Sequence, residues 1–241
     1  MKNVIMNDKD YNTCLLTGGT GTFGTAYIMT AIERAWHKKI IVYSREEYKQ
    51  IKMFNFLKSI YEQENAQALI KINDTRINFF IGDVCDYERL LVATKDVDVV
   101  IHAAALKHVP VCEYNPMAAT KTNIDGTTNV VNTAGLNGVR KVVALSSDKA
   151  VDPINIYGAT KLCLEKIVLG ANKYYPETVM SVVRYGNIIG SRGSIIHKLI
   201  TIKKKSIDLT DANMTRFWLT IEEAIRLVRV AMSQERRDTV Y

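Results

Sequence analysis

Short apolar segments alternate with longer segments of helical periodicity along most of the chain. The apolar segments are TCLLTGG, KKIIVYS, INFFIGDV, VDVVIHAAA, KVVALSS and VMSVVRYGN. Their hydrophobic residues run on without a regular polar alternation, which indicates strands that are buried on both faces. Strands of this kind, separated by helices, are typical of an α/β protein whose parallel sheet is covered by helices on both sides. We therefore predict a doubly wound parallel sheet.

A glycine-rich turn, TGGTGTFG, follows the first predicted strand and precedes a predicted helix. Glycines in such a turn permit a tight backbone, close approach to a pyrophosphate and close packing of helix on sheet, and the helix N-terminus offers N–H groups to an anion. A purely structural turn is the alternative, but the position between strand and helix favours dinucleotide binding. We assign cofactor contacts here to Gly18, Thr20, Gly21, Thr22, Phe23 and Gly24.

The end of the second predicted strand indicates which dinucleotide is bound. An NAD-binding protein usually carries an acidic residue about 20 residues after the last glycine, for the ribose hydroxyls. Here the positions are Ser44 and Arg45, and a hydroxyl next to a guanidinium suits the 2′-phosphate of NADP. We assign both, with Lys49, to the cofactor site. A solvated Arg45 is the alternative, and the adjacent Glu46 weakens the prediction.

The composition limits the remaining classes of function. The chain has 241 residues, 47% hydrophobic and 24% charged, with a net charge of +7, which suits one α/β domain with or without a small appendage. No apolar run approaches the ~20 residues of a membrane span, and no signal peptide begins the chain; we expect a cytoplasmic protein without a membrane partner. Dispersed basic residues argue against nucleic acid, and the Cys and His spacings against a metal site.

Tyr157 and Lys161 lie four residues apart on a predicted helix and therefore on one face. A nearby cation lowers the pKa of a tyrosine, so we expect Lys161 to make Tyr157 a usable base for a hydroxyl during hydride transfer. Nine residues before the tyrosine stands Asp148, followed by Lys149. This second pair of ionisable groups is either a surface ion pair or further acid–base machinery.

Several motifs together carry a family resemblance, which runs from Thr13 to about Met232. They are GDVCDYERL, HAAALKHVPVCEYNP, KTNIDGT, SSDKAVDPINIYGATKL, RYGNIIGSRGS and MTRFWLT. With the glycine turn, they resemble the inverting UDP-N-acetylglucosamine 4,6-dehydratases of pseudaminic-acid-type pathways, within the extended short-chain dehydrogenases/reductases. The resemblance implies a Rossmann-type fold, NADP as cofactor and UDP-N-acetylglucosamine as substrate. A UDP-sugar 4-epimerase, a C5-retaining dehydratase and a catalytically silent NADP-binding module are the alternatives.

The resemblance also implies catalytic roles for the two pairs. Tyr157 and Lys161 would serve oxidation at C4 of the sugar, Lys149 would remove the C5 proton, and Asp148 would help the C6 hydroxyl to leave as water. Lys149 must then be neutral and Asp148 protonated, so we expect their pKa values to be shifted in opposite directions.

The remaining site residues are carried over from the same resemblance. Adenine contacts fall on Asp83 and Val84; other cofactor contacts on Ala103, Ala104, Ala105, Lys121, Gly190, Ser191 and Arg192; substrate contacts on Lys107, Asn187 and Arg216. We divide the chain into an N-terminal extension (1–12), an NADP-binding Rossmann domain (13–190) and a partial substrate-binding region (191–241).

Two departures from the family pattern concern residues 54–75 and the end of the chain. The segment 54–75 is longer than is usual in the family and predicts an extended helix plus loop. The last residues of the chain, Asp238 to Tyr241, resemble the start of another strand, whereas family members continue well past this point. Elements that close over the substrate are therefore expected to be absent or supplied by another chain. We also expect a homo-oligomer.

Overall fold

The computed structural model describes residues 11–64, 77–191, 211 and 213–241. The strands of its main sheet are all parallel and lie in the order β3-β2-β1-β4-β5-β6. They are β1 (Thr13–Thr17), β2 (Lys39–Ser44), β3 (Ile77–Ile81), β4 (Val99–His102), β5 (Lys141–Ser147) and β6 (Val179–Tyr185). This is the strand order of a doubly wound Rossmann fold. The fold predicted from the apolar segments is confirmed.

Helices cover both faces of the sheet. They are α1 (Thr22–Glu33), α2 (Glu47–Glu64), α3 (Tyr87–Ala93), α4 (Val109–Tyr114), α5 (Pro116–Thr120), α6 (Gly126–Leu136), α7 (Ile156–Ala171) and α8 (Ile221–Ser233). A turn of π-helix (Lys121–Asp125) precedes α6, a 3₁₀ turn (Asp148–Ala150) follows β5, and β7 (Asn187–Ile188) pairs with β8 (Trp218–Leu219). The helix predicted after Phe54 is confirmed as far as Glu64, and residues 65–76 lie outside the described part.

Successive residues of the central strands face opposite layers of the core. Leu16 and Val42 belong to the layer covered by α1, α2 and α8, whereas their neighbours Leu15 and Ile41 belong to the layer covered by α3, α6 and α7. Because each strand is buried on both faces, both sets of positions must be apolar. This accounts for the unbroken hydrophobic runs in the sequence.

The last residues of the chain extend the sheet beyond β6. Val240 forms a parallel bridge with Val182, and the Arg184 N–H donates to the Tyr241 carbonyl at 2.8 Å. The expected start of a further strand is confirmed. The boundary after residue 190 stays a prediction, and α8, which lies beyond it, packs in the same core layer as α1.

Within the described ranges, none of the helices combines the length and apolar character needed to cross a membrane.

Candidate active site

A cavity of about 650 Å³ opens at the carboxyl ends of the strands, around the point between β1 and β4 where the strand order reverses. Ligands of open α/β sheets bind in this crevice. Most of the predicted site residues line it: Gly18, Thr20, Gly21, Thr22, Phe23, Gly24, Ser44, Arg45, Lys49, Asp83, Val84, Ala103, Ala104, Ala105, Lys107, Lys149, Tyr157, Lys161, Asn187 and Ser191.

The other predicted residues lie elsewhere or outside the described part. Arg216 is exposed, and its guanidinium donates to the Thr215 carbonyl at 2.8 Å. Lys121 begins the π-helical turn, where its carbonyl accepts a hydrogen bond from the Cys85 thiol at 3.4 Å. Gly190 adopts a positive φ of 71°, Asp148 directly precedes the lining residue Lys149 in the chain, and Arg192 is not among the described residues.

The glycine turn forms a cradle that a side chain would fill. Gly18 has a φ of +65°, and a Cβ added there would lie 2.8 Å from the backbone N and Cα of Ala104, in the loop after β4. The helix α1 then begins at Thr22 without a side-chain cap at Gly21. Backbone approach without a Cβ, next to the positive end of a helix, suits a pyrophosphate. These residues fit a dinucleotide cofactor.

The tip of β2 places a guanidinium beside a carboxylate. Arg45 is exposed and pairs with Asp83 at 3.4 Å, and both residues line the cavity. Burial raises the pKa of Asp83, but hydrogen bonds with Cys85 and the charge of Arg45 outweigh it, so the pKa lies below its ordinary value. Lys49 pairs with Glu46. A 2′-phosphate at this tip would therefore share Arg45 with Asp83.

Ser44 is held by a residue that sequence reasoning missed. The Gln50 amide nitrogen donates to the Ser44 carbonyl at 2.9 Å and to its hydroxyl oxygen at 3.0 Å. Both side chains are buried. Gln50 therefore fixes the position of the Ser44 hydroxyl at the end of β2. The sequence offered only a glutamine in the first turns of α2 as a signal for this contact, since its burial is visible only in the structure.

Tyr157 and Lys161 lie four residues apart on α7, and both are buried and line the cavity. Burial raises the pKa of Tyr157 to about 12, although a hydrogen bond with Ser147 lowers it. Burial lowers the pKa of Lys161 to about 8, and its ammonium donates to the Leu145 carbonyl at 2.7 Å. The net shift of the Tyr157 pKa is therefore upward, opposite to the predicted lowering, because desolvation of the phenol dominates.

Asp148 and Lys149 form a hydrogen-bonded ion pair at 3.0 Å at the end of β5. Burial raises the pKa of Asp148, but hydrogen bonds from Lys149 and from the Ser147 hydroxyl, at 2.8 Å, outweigh it and hold the pKa below its ordinary value. The prediction that Asp148 is protonated is therefore wrong for this arrangement. Lys149 stabilises the charged form of the Asp148 carboxylate because the two are hydrogen-bonded neighbours.

The 3₁₀ turn carrying this pair is pressed against the start of α7. Asn155 caps α7 by accepting from the Gly158 N–H at 2.9 Å, and the Glu113 carboxylate accepts from the Ile156 N–H at 2.7 Å. A Cβ at Gly158 would lie far inside 3.0 Å of the Lys149 carbonyl oxygen. The close approach at Gly158 sets the position of Lys149 relative to Tyr157.

Asn123 is a second positioning residue without an assigned role in the sequence. It is fully buried; its Oδ1 accepts from the Leu106 N–H at 2.8 Å, and its Nδ2 donates to the Leu106 carbonyl at 2.9 Å and the Thr160 hydroxyl at 3.0 Å. It thus fixes the loop after β4 against α7. The KTNIDGT motif contains it, but its partners are distant in sequence.

His102 at the end of β4 is a structural group. Burial lowers its pKa to about 3, so the ring is neutral, and it hydrogen-bonds the hydroxyls of Thr17 at 2.8 Å and Thr127 at 3.1 Å. Among the described residues, no group of three or more His, Cys, Asp or Glu is arranged to hold a metal ion.

Comparison with known proteins decides the family. A model of the polysaccharide biosynthesis protein family matches residues 14–241. The chain belongs to this family. Within it, the chain is 48% identical to the inverting UDP-N-acetylglucosamine 4,6-dehydratase of Campylobacter jejuni, over 89% of this chain and 61% of that protein. The resemblance stated from the motifs is confirmed.

Other curated relatives of the chain bear different names. It is 40% identical to the UDP-glucose 4-epimerase of Rickettsia bellii, over 95% of this chain and 65% of that one. The chain therefore spans less than two thirds of the length of either curated relative.

Solved structures share the fold. Pen from Bacillus thuringiensis superposes with a TM-score of 0.80 at 38% identity, over 94% of this chain and 68% of that one. The dTDP-glucose 4,6-dehydratase DesIV from Streptomyces venezuelae, solved with NAD bound, gives a TM-score of 0.76 at 21% identity, over 95% and 74%.

Proposed function

We propose that the protein acts in the NADP-dependent dehydration of UDP-N-acetylglucosamine across C4 to C6, with inversion at C5. The observation that carries this proposal is that the amines of Lys149 and Lys161 line one cavity with Tyr157. An oxidation needs Tyr157 and Lys161, whereas an elimination needs a further base. We assign this role to Lys149, which lines the same cavity on the turn after β5.

A bound nicotinamide supplies the hydride acceptor for C4 and the hydride donor for C6. Tyr157 takes the proton of the C4 hydroxyl. With a pKa of about 12, the phenol needs the nearby Lys161 cation to make this transfer accessible at neutral pH. Once C4 is a ketone, the C5 proton becomes acidic and Lys149 can remove it.

The ion pair of Asp148 and Lys149 can supply the states that elimination requires. Transfer of one proton along their 3.0 Å hydrogen bond leaves a neutral amine and a protonated carboxyl, without a change in net charge. Exclusion of water by a bound sugar nucleotide favours the neutral pair over the ion pair, because desolvation penalises charges. Lys149 then accepts the C5 proton, and Asp148 donates one to the departing C6 hydroxyl.

A 4-epimerase is the second candidate, favoured by the 40% identity to the Rickettsia protein. Product analysis separates the two reactions. The chain is incubated with NADP and UDP-N-acetylglucosamine in D₂O, and the product is examined by proton NMR. A 4-keto-6-deoxy sugar with deuterium at C5 supports dehydration. A galacto-configured sugar supports the epimerase, and no turnover despite tight NADP binding supports a silent cofactor-binding module.

We propose NADP over NAD because Arg45 and Ser44 line the cavity at the tip of β2. A charge-assisted hydrogen bond contributes about 1.5–3 kcal/mol, which corresponds to roughly 10- to 150-fold in affinity, and sharing with Asp83 reduces this to several-fold. Titration calorimetry should show the preference and its narrowing or reversal in Arg45→Asp. Arg34→Asp, an equal charge change at an exposed site, should leave it unchanged. Equal affinities in the unmodified protein contradict the proposal.

Assembly as a homo-oligomer and a cytoplasmic location remain predictions.

A further inference from the structure

A buried carboxylate lies one helical turn beyond Lys161. Glu165 is only 2% exposed, yet its two oxygens accept three hydrogen bonds. Oε1 accepts from the Ser146 hydroxyl at 2.6 Å and from Arg184 Nε at 2.9 Å, and Oε2 accepts from Arg184 Nη2 at 2.5 Å. A carboxylate at this depth persists only with such partners.

The hydrogen bonds of Glu165 are part of a network at the carboxyl end of β5, next to the candidate active site. Three successive residues of β5 each bond a different ionisable group: the Leu145 carbonyl accepts from Lys161, the Ser146 hydroxyl donates to Glu165, and the Ser147 hydroxyl donates to Asp148. Glu165 therefore ties the carboxyl end of β5 to the helix that carries Tyr157 and Lys161.

The charges around Lys161 show what Glu165 contributes. His102 on β4 is neutral, Lys107 after β4 repels the ammonium, and the ion pair after β5 carries one charge of each sign. Tyr157 on the same helix and Tyr185 on β6 are un-ionised phenols because burial raises their pKa values. On the same face as Lys161, Glu165 favours the ammonium, and Arg184 from β6 pairs with this carboxylate.

We propose that Glu165 is a positioning residue that keeps Lys161 cationic beside Tyr157, with a field that Arg184 moderates. Its catalytic consequence rests on the proposed function, but the electrostatic relation does not. Removing the carboxylate charge destabilises the Lys161 ammonium. Removing the guanidinium has the opposite effect, because the Glu165 charge is then less compensated.

The electrostatic relation is measured without substrate. The Lys161 side chain is followed by ¹³Cε NMR through a pH titration, with the signal assigned from Lys161→Met. Relative to the unmodified protein, Glu165→Gln should lower the midpoint by about one pH unit and Arg184→Gln should raise it. In Glu165→Asp the midpoint should return most of the way to the unmodified value, because the carboxylate charge is kept. Lys166→Gln, at an exposed neighbouring position, should leave the midpoint unchanged. Unchanged midpoints, or shifts of the same sign in both variants, overturn the proposal.

Cofactor reduction then tests the consequence for the reaction. The single-turnover rate of NADP reduction by UDP-N-acetylglucosamine in Glu165→Gln should fall about five-fold at pH 8 and hardly at all at pH 6. A Lys161 midpoint lowered from about 8 to about 7 strongly reduces the protonated fraction of Lys161 at pH 8 but leaves it almost complete at pH 6. If Glu165→Gln does not fold, Glu165→Asp and Arg184→Gln provide the comparison. NMR shifts without any cofactor reduction in the unmodified protein refute the proposed function but not the relation. A rate loss equal at both pH values shows a merely structural role and overturns the proposal.

Discussion

Replacing Gly158 with alanine forces the turn that carries Lys149 away from α7. The added Cβ lies far inside 3.0 Å of the Lys149 carbonyl oxygen and 3.0 Å from Pro153 Cβ. Because the nearest obstacle is backbone, the turn must move as a unit, by about 1 Å. A displacement of that size in a positioned group costs about 10²-fold in rate, and overpacking costs about 1–3 kcal/mol, partly offset by about 0.5–1 kcal/mol of helix propensity.

Gly170 offers the matched control in the same helix. A Cβ there meets nothing within 4 Å, so Gly170→Ala should gain about 0.5–1 kcal/mol of stability from helix propensity alone. For a domain of this size, 1 kcal/mol moves Tm by about 2–4 °C. Thermal unfolding followed by circular dichroism should therefore show Tm falling in Gly158→Ala and rising in Gly170→Ala.

Kinetics separate displacement of Lys149 from general destabilisation. In Gly158→Ala, product formation should fall about 10²-fold at a temperature where the variant is folded. NADP affinity should stay within about two- to three-fold of the unmodified value, which is less than the loss of one typical hydrogen bond would cause. If Gly158→Ala matches Gly170→Ala in both Tm and rate, the close approach does not position Lys149.

Two further predictions concern the cofactor cradle and the buried histidine. Gly18→Ala should abolish measurable NADP binding by calorimetry, because its Cβ fills the cradle. Gly138→Ala, with a nearly identical φ of +66° but nothing within 4 Å of the added Cβ, should keep NADP binding. Equal losses of binding in both variants would contradict the role of the cradle. Since the pKa of His102 is about 3 when folded and about 6.5 when unfolded, the unfolded chain binds a proton below pH 6.5 that the folded protein does not, and stability should fall by about 2 kcal/mol between pH 7 and pH 5. Denaturant unfolding of His102→Gln should lack this loss, and an equal loss in both proteins would refute it.

Much of the fold follows from the sequence because its signals are local. Each apolar run became a strand since burial on both faces leaves a pattern within a few residues, and the glycine turn was recognisable since its conformational demands are local too. The extension of the sheet by Val240 was visible for the same reason.

The charge states of the site could not be predicted, because they depend on partners brought together by folding. The pairing of Arg45 with Asp83 joins positions 38 residues apart. The ionised state of Asp148 arises from a neighbour's rotamer and a serine hydroxyl, and the high pKa of Tyr157 arises from the depth of its pocket. A spacing in the sequence identifies such groups but does not specify their solvation.

The central claim is that Tyr157, with Lys161, takes the C4 hydroxyl proton during oxidation by NADP, while Lys149 removes the C5 proton. It is tested most directly by a single turnover of Lys149→Ala with NADP and UDP-N-acetylglucosamine in D₂O. The account predicts that reduced nicotinamide forms and accumulates, seen by its absorbance, with little deuterium entering C5 and product formation reduced by about 10²- to 10⁴-fold. Tyr157→Phe, the control, should form no reduced cofactor. Product formation by Lys149→Ala at an undiminished rate would contradict the account.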